Sequence, residues 1–433
     1  MPRQFQALPV LESLVENIAH RLDGVMVVAT QHLLETTGSL IEALTSLGVA
    51  ANDIHLIGKR YSTNADVRHR LTASGVHVYE NCTPRPWQGF ADAFTIDIEQ
   101  LWRVVQADLA NKAIHTLIVL DDGGRCLSHI PPRLKSRIGE VKVVGVEQTT
   151  SGLQNGTGHC PLIRVADAAA KKYLESPLVA AAVFDKLRAH LDAGISQNPK
   201  FKYGVIGMGS IGKAIADYLD KIGLPFYVYD RNPDLAEIFP ANWCHELTTL
   251  LSQSDVVFSC TGEDVFQDLK HIEQLQGDRT FISCSSEDRE FLSILKRWAW
   301  RDAPGFNPLD TIQITLPQSS LTLFRGGFPV NFDGSEESVP AADIQLTRGL
   351  LLSAVIQAAA NNPRAGLKSP CLMLDPTLQA FVVREWRQFK SYPMPPLLID
   401  QFNDLAWITK NSGGMPDDGN NFTIPLKKFP AGS

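Results

Sequence analysis

The chain has 433 residues, of which 44% are hydrophobic and 20% charged, and its formal net charge is −7. The composition is that of a globular protein, and the length exceeds what one hydrophobic core usually supports, so we expect two domains. The acidic balance argues against a nucleic acid or an anionic membrane as the main partner, because both require a concentrated basic face.

The seven cysteines are scattered along the chain and form no Cys-x-x-Cys pair, which indicates neither a disulfide framework nor a zinc site. The first residues lack the basic-then-apolar pattern of a signal peptide. No apolar run approaches the roughly 20 residues that cross a bilayer. We therefore expect a cytoplasmic protein without a metal site.

The first 165 residues alternate between predicted strands and predicted helices. The helices, residues 33–47 and 98–110, carry their apolar residues on one face. Because strands that alternate with helices pair in parallel, this part predicts an α/β domain with helices on both faces of a sheet. Its predicted strands are residues 24–30, 53–58, 75–79, 115–120 and 141–146.

A helical stretch at residues 167–193 follows, and Pro177 should kink or split it. Beyond it a second alternating segment begins, then two predicted helices at 341–360 and 378–389, and a tail from Pro393 that is rich in Pro, Asn, Asp and Gly. The strands predicted for the second segment are residues 203–206, 226–229, 256–259 and 280–283, with a strand pair at 312–316 and 321–324.

The sharpest local signal is the motif Gly207-Met208-Gly209-Ser210-Ile211-Gly212, which lies between a predicted strand and a predicted helix. In a dinucleotide-binding fold the first glycine permits a tight turn, the second lets the backbone approach a pyrophosphate, and the third lets the helix pack close to the strand. Free N–H groups at the start of the helix then bind the phosphates. The motif predicts a Rossmann-type NAD site, and a glycine-rich turn without a ligand is the alternative.

Two further positions fit this site. Asp230 ends the next predicted strand, 18 residues after Gly212, where a carboxylate accepts hydrogen bonds from the ribose hydroxyls of NAD and repels the 2′-phosphate of NADP. Arg231 weakens this preference for NAD, because an arginine at that point can hold the 2′-phosphate of NADP. Thr261 and Gly262 follow the third predicted strand, and their small size suits a close approach to the dinucleotide.

Three short segments precede the glycine loop in a fixed order: residues 120–124 (LDDGG), 145–152 (GVEQTTSG) and 165–171 (VADAAAK). Together with the loop they resemble the S-adenosyl-L-homocysteine hydrolase family, and the resemblance covers roughly residues 24–360. It implies an α/β fold with a discontinuous substrate domain at 1–180 and 341–392, a Rossmann domain at 181–340, and a C-terminal arm at 393–433. It also implies a homo-oligomer.

The family resemblance implies roles for individual residues. Lys171 and Glu175, with Asp122 and His32, match catalytic positions of that family, although the family has Asp where this chain has Glu175. Gln148 stands where the family binds substrate with a Glu, and Glu147 precedes it. The residues that match NAD contacts are Thr149, Thr150, Ser151 and Asn331.

The resemblance implies an enzyme with tightly held NAD that oxidises a ribose-type hydroxyl of a nucleoside-like small molecule, as a hydrolase and oxidoreductase of one-carbon metabolism. Segments of the family that carry histidines are replaced here, at residues 284–288 and 339–342. Two alternatives therefore stay open: an NAD-binding regulatory protein without turnover, and an ordinary NAD-dependent dehydrogenase.

Several of these side chains also have simpler interpretations. His32 could cap a helix or lie at the surface, Glu147 could be a surface charge at a strand end, and Lys171 could lie on a solvated helix face. The acidic cluster of Glu287, Asp288 and Glu290 is most simply a solvated loop.

Overall fold

The structure is a computed structural model that describes residues 4–79, 89–136, 141–155, 160–197, 201–268, 270–299, 309–360 and 371–414. The chain divides into two compact units. Unit 1 comprises Met1–Cys82, Phe94–Glu175 and Gly334–Ser433, and unit 2 comprises Thr83–Ala93 and Ser176–Asp333. The chain therefore changes units at Thr83, Phe94, Ser176 and Gly334. The sequence predicts boundaries near the last two, at residues 181 and 341.

The described residues contain thirteen strands, most of which are short and buried. In chain order they are β1 (Val25–Gln31), β2 (Ile54–Gly58), β3 (His77–Tyr79), β4 (Thr116–Asp121), β5 (Lys142–Glu147), β6 (Leu162–Arg164), β7 (Tyr203–Ile206), β8 (Phe226–Tyr229), β9 (Val256–Ser259), β10 (Arg279–Ser283), β11 (Ile312–Thr315), β12 (Ser320–Leu323) and β13 (Cys371–Leu372).

The α-helices of the described residues range from single turns to 22 residues. They are α1 (Pro9–Asn17), α2 (Glu35–Ser46), α3 (Ala65–Ala73), α4 (Phe90–Asn111), α5 (Arg125–Ser128), α6 (Pro132–Ser136), α7 (Thr150–Asn155), α8 (Ser176–Gln197), α9 (Ser210–Lys221), α10 (Leu247–Gln253), α11 (Lys270–Glu273), α12 (Leu292–Ile294), α13 (Ala341–Ala360), α14 (Pro376–Trp386), α15 (Pro396–Asp400) and α16 (Leu405–Asn411).

Unit 1 contains a seven-stranded sheet in the order β13-β6-β5-β4-β1-β2-β3, and every pair in it is parallel. Every residue of β1 and β4 is buried, which is expected for a parallel sheet covered on both faces. Helix α13 contacts α1, α2 and α14 as well as β4 and β5. The strand order reverses between β1 and β4, and ligands of open α/β sheets bind beyond the carboxyl ends of the strands at such a reversal.

Unit 2 contains a six-stranded sheet in the order β11-β12-β10-β9-β7-β8, in which only the β11–β12 pair is antiparallel. One core packs α8 and α9 against a face of this sheet. A second core covers the other face with α10 and the segment around Phe291. The strand order reverses between β7 and β9, which places a second crevice at the carboxyl ends of these strands. The predicted α/β fold with a Rossmann-type domain is confirmed.

Some local predictions differ from the structure. Strands β6 and β13 are not predicted, because two or three residues are too few to show a period of two. Pro177 is the second residue of α8, and a π-helical turn over Lys171–Glu175 precedes the helix, so the split falls just before the proline. Residues 393–414 include α15 and α16 and belong to unit 1, whereas residues 415–433 of the predicted arm lie outside the described residues.

None of the helices in the described part of the chain combines the length and the apolar character that a bilayer crossing requires.

Candidate nucleotide and substrate sites

The glycine loop connects β7 to α9 at the strand-order reversal of unit 2. Gly207 has a φ of +90°, a conformation that favours glycine. A Cβ on Gly212 would lie 1.7 Å from the carbonyl oxygen of Gly207, so helix and strand approach too closely for any side chain there. A Cβ on Gly209, in contrast, would meet nothing within 4 Å. Gly209 therefore borders open space, as a pyrophosphate site requires.

Helix α9 presents its first amide groups to the same space. Gly209 is the N-cap and provides no side-chain cap, and the first intrahelical hydrogen bond runs from the N–H of Lys213 to the Gly209 carbonyl at 2.9 Å. The N–H groups of Ser210, Ile211 and Gly212 precede that bond and remain for a phosphate.

Asp230 closes the glycine loop from the end of β8. Its carboxylate accepts hydrogen bonds from the N–H of Met208 at 2.6 Å and from the N–H of Asn232 at 2.8 Å. Each carboxylate oxygen has a second lone pair, so these bonds leave acceptor capacity for ribose hydroxyls. Arg231 is directed to Glu263 at 2.9 Å, and both side chains are exposed.

A cavity of about 540 Å³ lies beside these residues and belongs wholly to unit 2. The open glycine, the uncapped helix and the half-buried acid on one cavity fit the pyrophosphate and adenosine ribose of NAD. The residues that line the cavity are Ile206, Gly207, Gly209, Tyr229, Asp230, Arg231, Glu246, Leu247, Thr248, Cys260, Thr261, Glu263, Val265 and His271.

The acidic cluster is buried, and the prediction of a solvated loop is wrong. Glu287, Asp288 and Glu290 are at most 4% exposed. Glu290 accepts hydrogen bonds from the Thr261 hydroxyl at 2.8 Å and from the Gly262 N–H at 2.7 Å, and burial raises its pKa. A sequence pattern cannot show that loop hydroxyls and amides replace water around an acid. Glu290 thus holds the loop after β9 that borders the cavity.

Asn331, the last predicted NAD contact of unit 2, is buried. It lies two residues after Pro329, which forms an isolated parallel bridge with Ser283 at the end of β10. The other predicted NAD contacts, Thr149, Thr150 and Ser151, belong to unit 1 at the start of α7.

Unit 1 holds its own polar cluster at the carboxyl ends of its strands, centred on Asp122. The carboxylate of Asp122 contacts the Lys59 ammonium, accepts a hydrogen bond from the Gln148 amide, and lies 3.2 Å from Nε2 of His32. Burial alone would raise the pKa of Asp122, but the charge of Lys59 and the hydrogen bonds from His32 and Lys59 hold it well below its usual range. Asp122 is therefore ionised.

His32 is largely buried in this cluster rather than at the surface. Its Nδ1 lies 2.5 Å from the hydroxyl oxygen of Ser62. Burial lowers the pKa of His32 below its ordinary value of 6.5, although the neighbouring Asp122 opposes the shift. A neutral imidazole whose Nε2 faces a carboxylate can accept a proton at Nδ1, and the carboxylate then stabilises the resulting cation.

Glu147 is also fully buried, so it is not a surface charge. Its carboxylate accepts hydrogen bonds from the Thr149 N–H at 2.7 Å, the Thr149 hydroxyl at 2.6 Å and the Gly123 N–H at 3.2 Å. Burial and the nearby Asp121 charge raise its pKa well above the ordinary value. Glu147 thus ties the loop after β5 to the loop after β4.

Lys171 and Glu175 form an ion pair across the π-helical turn that precedes α8, with side chains 17% and 13% exposed. The interpretation of Lys171 as part of a solvated face does not hold. Two buried cations of unit 1, Lys59 and Arg348, are missing from the sequence-based candidates. Lys59 directly follows β2 at the same carboxyl edge as His32, and that position is the signal that could have found it.

Comparison with known proteins adds three findings. Residues 185–266 match the model of the D-isomer specific 2-hydroxyacid dehydrogenase NAD-binding domain. The Mycobacterium tuberculosis proteins Rv0104 and MT0113 are each 30% identical over 357 residues, which is 81% of this chain and 67% of theirs. The crystal structure of a phosphoglycerate oxidoreductase from Vibrio cholerae aligns over 77% of this chain and 98% of its own, at 12% identity and a TM-score of 0.38.

The family match confirms NAD as the cofactor and overturns the resemblance to S-adenosyl-L-homocysteine hydrolase. The predictions that followed from that resemblance are therefore also wrong: a ribose-type hydroxyl, a nucleoside-like substrate and a hydrolase reaction. The reason is physical: Rossmann-type units of many families share the glycine loop, and the other motifs are short stretches at strand ends and helix starts. Such stretches are small and polar in many α/β folds.

Proposed function

The chain belongs to the family of the Mycobacterium tuberculosis proteins Rv0104 and MT0113. We propose that it is an NAD-dependent dehydrogenase of a small 2-hydroxy acid, because residues 185–266 match the NAD-binding domain of the D-isomer specific 2-hydroxyacid dehydrogenases. The observation that carries the proposal is the glycine loop with Asp230, which borders a cavity that lies wholly within unit 2. The product is the corresponding 2-oxo acid.

Unit 2 holds the cofactor in this proposal. The amides at the start of α9 bind the pyrophosphate, Asp230 accepts hydrogen bonds from the adenosine ribose, and Thr261, Gly262 and Asn331 border the remainder of the dinucleotide. NAD, when bound, supplies the hydride acceptor. Asp230 also repels a 2′-phosphate, and Arg231 pairs with Glu263 at the exposed surface.

Unit 1 supplies the acid–base group. Loss of a hydride from a hydroxyl-bearing carbon requires that the hydroxyl proton also leave. His32 accepts that proton at Nδ1, either directly or through the Ser62 hydroxyl at 2.5 Å, and Asp122 stabilises the imidazolium at Nε2. Gln148 and Lys59 hold Asp122 in place.

The remaining candidates have supporting roles in the proposal. Lys171 and Glu175 form a polar pair for the substrate, and Glu147 orders the Thr149–Ser151 segment. The charge of these residues and their position within unit 1 support these roles.

The test uses the full chain and two measurements. Quenching of protein fluorescence gives the affinity for NAD and for NADP, and near-ultraviolet absorbance follows NADH with glycolate, both lactate enantiomers and D-glycerate as substrates. We expect tighter binding of NAD than of NADP, and NADH that persists in the presence of at least one 2-hydroxy acid.

The variant His32→Gln should retain the affinity for NAD and lose roughly a hundredfold or more in rate, the usual contribution of a general base. His69→Gln, on the exposed surface of α3, is the matched control and should behave as wild type. Because the pKa of His32 is lowered, oxidation should persist below pH 6.5 before its acidic decline. Bound NAD without NADH from any 2-hydroxy acid would contradict the proposal.

A further inference from the structure

A buried arginine of unit 1 has no role in the function proposed above. Arg348 lies in α13, and every residue of that helix from Asp343 to Ala358 is buried. The side chain of Arg348 is part of this interior, with the residue only 5% exposed. Burying a guanidinium costs free energy unless an anion or several acceptors replace water around it.

The hydrogen bonds of Arg348 leave most of its donors unused. Its Nε donates to the Thr36 hydroxyl oxygen at 3.0 Å, and Thr36 is a neutral acceptor. Within the described ranges, Nη1 and Nη2 make neither a hydrogen bond nor an ion pair. They are also not among the polar atoms that are fully shut off from solvent. Part of the outer edge of the guanidinium therefore remains accessible to solvent, although the residue as a whole is buried.

The carboxylates whose charges act on Arg348 form their contacts with other groups. Burial lowers the pKa of Arg348, while the charges of Glu337, Glu175 and Asp122 raise it. Glu175 pairs with Lys171, Asp122 pairs with Lys59, and Glu337 accepts the N–H of Thr36. None of the three forms an ion pair with the guanidinium.

Arg348 also belongs to the electrostatic surroundings of the candidate base. Its positive charge contributes to lowering the pKa of His32. Helix α13 contacts the π-helical turn that bears Lys171 and Glu175, and Thr36 follows His32 by four residues at the start of α2. The open guanidinium edge and the imidazole are thus parts of one polar region of unit 1.

We propose that Arg348 binds the carboxylate of the 2-hydroxy acid through Nη1 and Nη2, and that Thr36 orients the guanidinium through Nε. The inference rests on the proposed function and names the residue that would select its substrate class. A planar fork with two parallel N–H donors matches a carboxylate in a way that a lysine or an amide does not. The carboxylate also supplies the anion that the buried guanidinium lacks.

The first experiment measures KM and kcat for the best 2-hydroxy acid found above. Arg348→Gln should raise KM roughly a hundredfold, as expected for the loss of a buried charge-assisted bidentate contact. Arg348→Lys keeps the charge without the fork and should be intermediate. Thr36→Val should raise KM less than Arg348→Gln does. Arg384→Gln, a partly exposed arginine of α14, is the matched control and should leave KM unchanged.

The second experiment is independent of turnover and uses oxalate as the probe. Oxalate should raise the thermal unfolding temperature of the wild type and of Arg384→Gln, and should have little effect on Arg348→Gln. Circular dichroism of each variant shows that it is folded. Should Arg348→Gln fail to fold, Arg348→Lys and Thr36→Val decide the matter with the same two readouts.

The outcomes separate this inference from the proposed function. Oxidation of a 2-hydroxy acid with an unchanged KM and undiminished oxalate binding in Arg348→Gln would overturn the inference and leave the dehydrogenase standing. Oxalate binding that depends on Arg348, without oxidation of any 2-hydroxy acid, would support the carboxylate site and reject the dehydrogenase.

Discussion

The Asp122–Lys59 pair shows how much single residues of unit 1 depend on one another. Both side chains are almost wholly buried, and neither would be stable there alone. An ion pair in such surroundings adds little net stability, but breaking it leaves a charge without its counter-ion. The same contact with Lys59 is one cause of the lowered pKa of Asp122.

We therefore expect Asp122→Asn to lower the free energy of unfolding by about 3 kcal/mol, because the Lys59 ammonium loses the carboxylate that pairs with it. Adding Lys59→Met to that variant should restore more than half of the loss. Urea unfolding at neutral pH measures both. A double variant no more stable than Asp122→Asn would show that the charge of Lys59 is not the cause.

His55 lies outside the candidate site and should make the stability of the protein depend on pH. It is fully buried in β2, with Nδ1 2.7 Å from the Tyr79 hydroxyl, and burial lowers its pKa from 6.5 to about 4. Between these two values the unfolded chain binds the proton and the folded chain does not. The free energy of unfolding should therefore fall by up to about 3 kcal/mol as the pH falls from 6.5 to 4.

His55→Asn should flatten this part of the stability profile, measured by urea unfolding at a series of pH values. His69→Asn, exposed on α3, is the control and should keep the wild-type slope. An unchanged slope in His55→Asn would assign the acid sensitivity to other groups.

At the scale of elements, the packing of α9 on β7 shapes the proposed nucleotide site. Two glycines of the loop have opposite surroundings: Gly212 has no room for a Cβ, and Gly209 has open space. We therefore expect a side chain at Gly212 to lower the stability of the protein, and a side chain at Gly209 to weaken cofactor binding, although both glycines belong to one motif.

Gly212→Ala should push α9 away from the strand and lower the stability of the protein without cofactor by about 2 kcal/mol. Gly209→Ala should change that stability by no more than about 0.5 kcal/mol, yet weaken NAD binding roughly tenfold, because its methyl group occupies pyrophosphate space. Thermal unfolding and NAD titration distinguish the two. Equal loss of stability in both variants would contradict the assigned geometry.

The whole molecule consists of two units with separate sheets and separate cores. A ligand that binds only unit 2 stabilises only the transition in which unit 2 unfolds. At about one hundred times its Kd, NAD should add about 2.7 kcal/mol to that transition.

Differential scanning calorimetry should accordingly show a transition that moves with NAD concentration and another that does not, and Gly212→Ala should lower only the first. A single transition that shifts as a whole would show that the two units unfold together.

The sequence by itself determined the α/β class, most strands and long helices, and NAD as the cofactor. All of these depend on local rules: the period of apolar residues, and a loop in which glycine, helix start and acid lie within one βαβ unit. The three glycines and Asp230 meet through local chain geometry, so their spacing suffices to identify them.

Only the tertiary structure decided which charges are buried together. Asp122, Lys59 and His32 lie on different strand ends, Arg348 meets Thr36 across more than 300 residues, and the acids around Glu290 receive hydrogen bonds from a distant loop. Spacing along the chain carries no information about such contacts, because desolvation and pairing depend on what the fold brings near. For the same reason, short motifs led to the wrong family, while the glycine loop correctly predicted the cofactor.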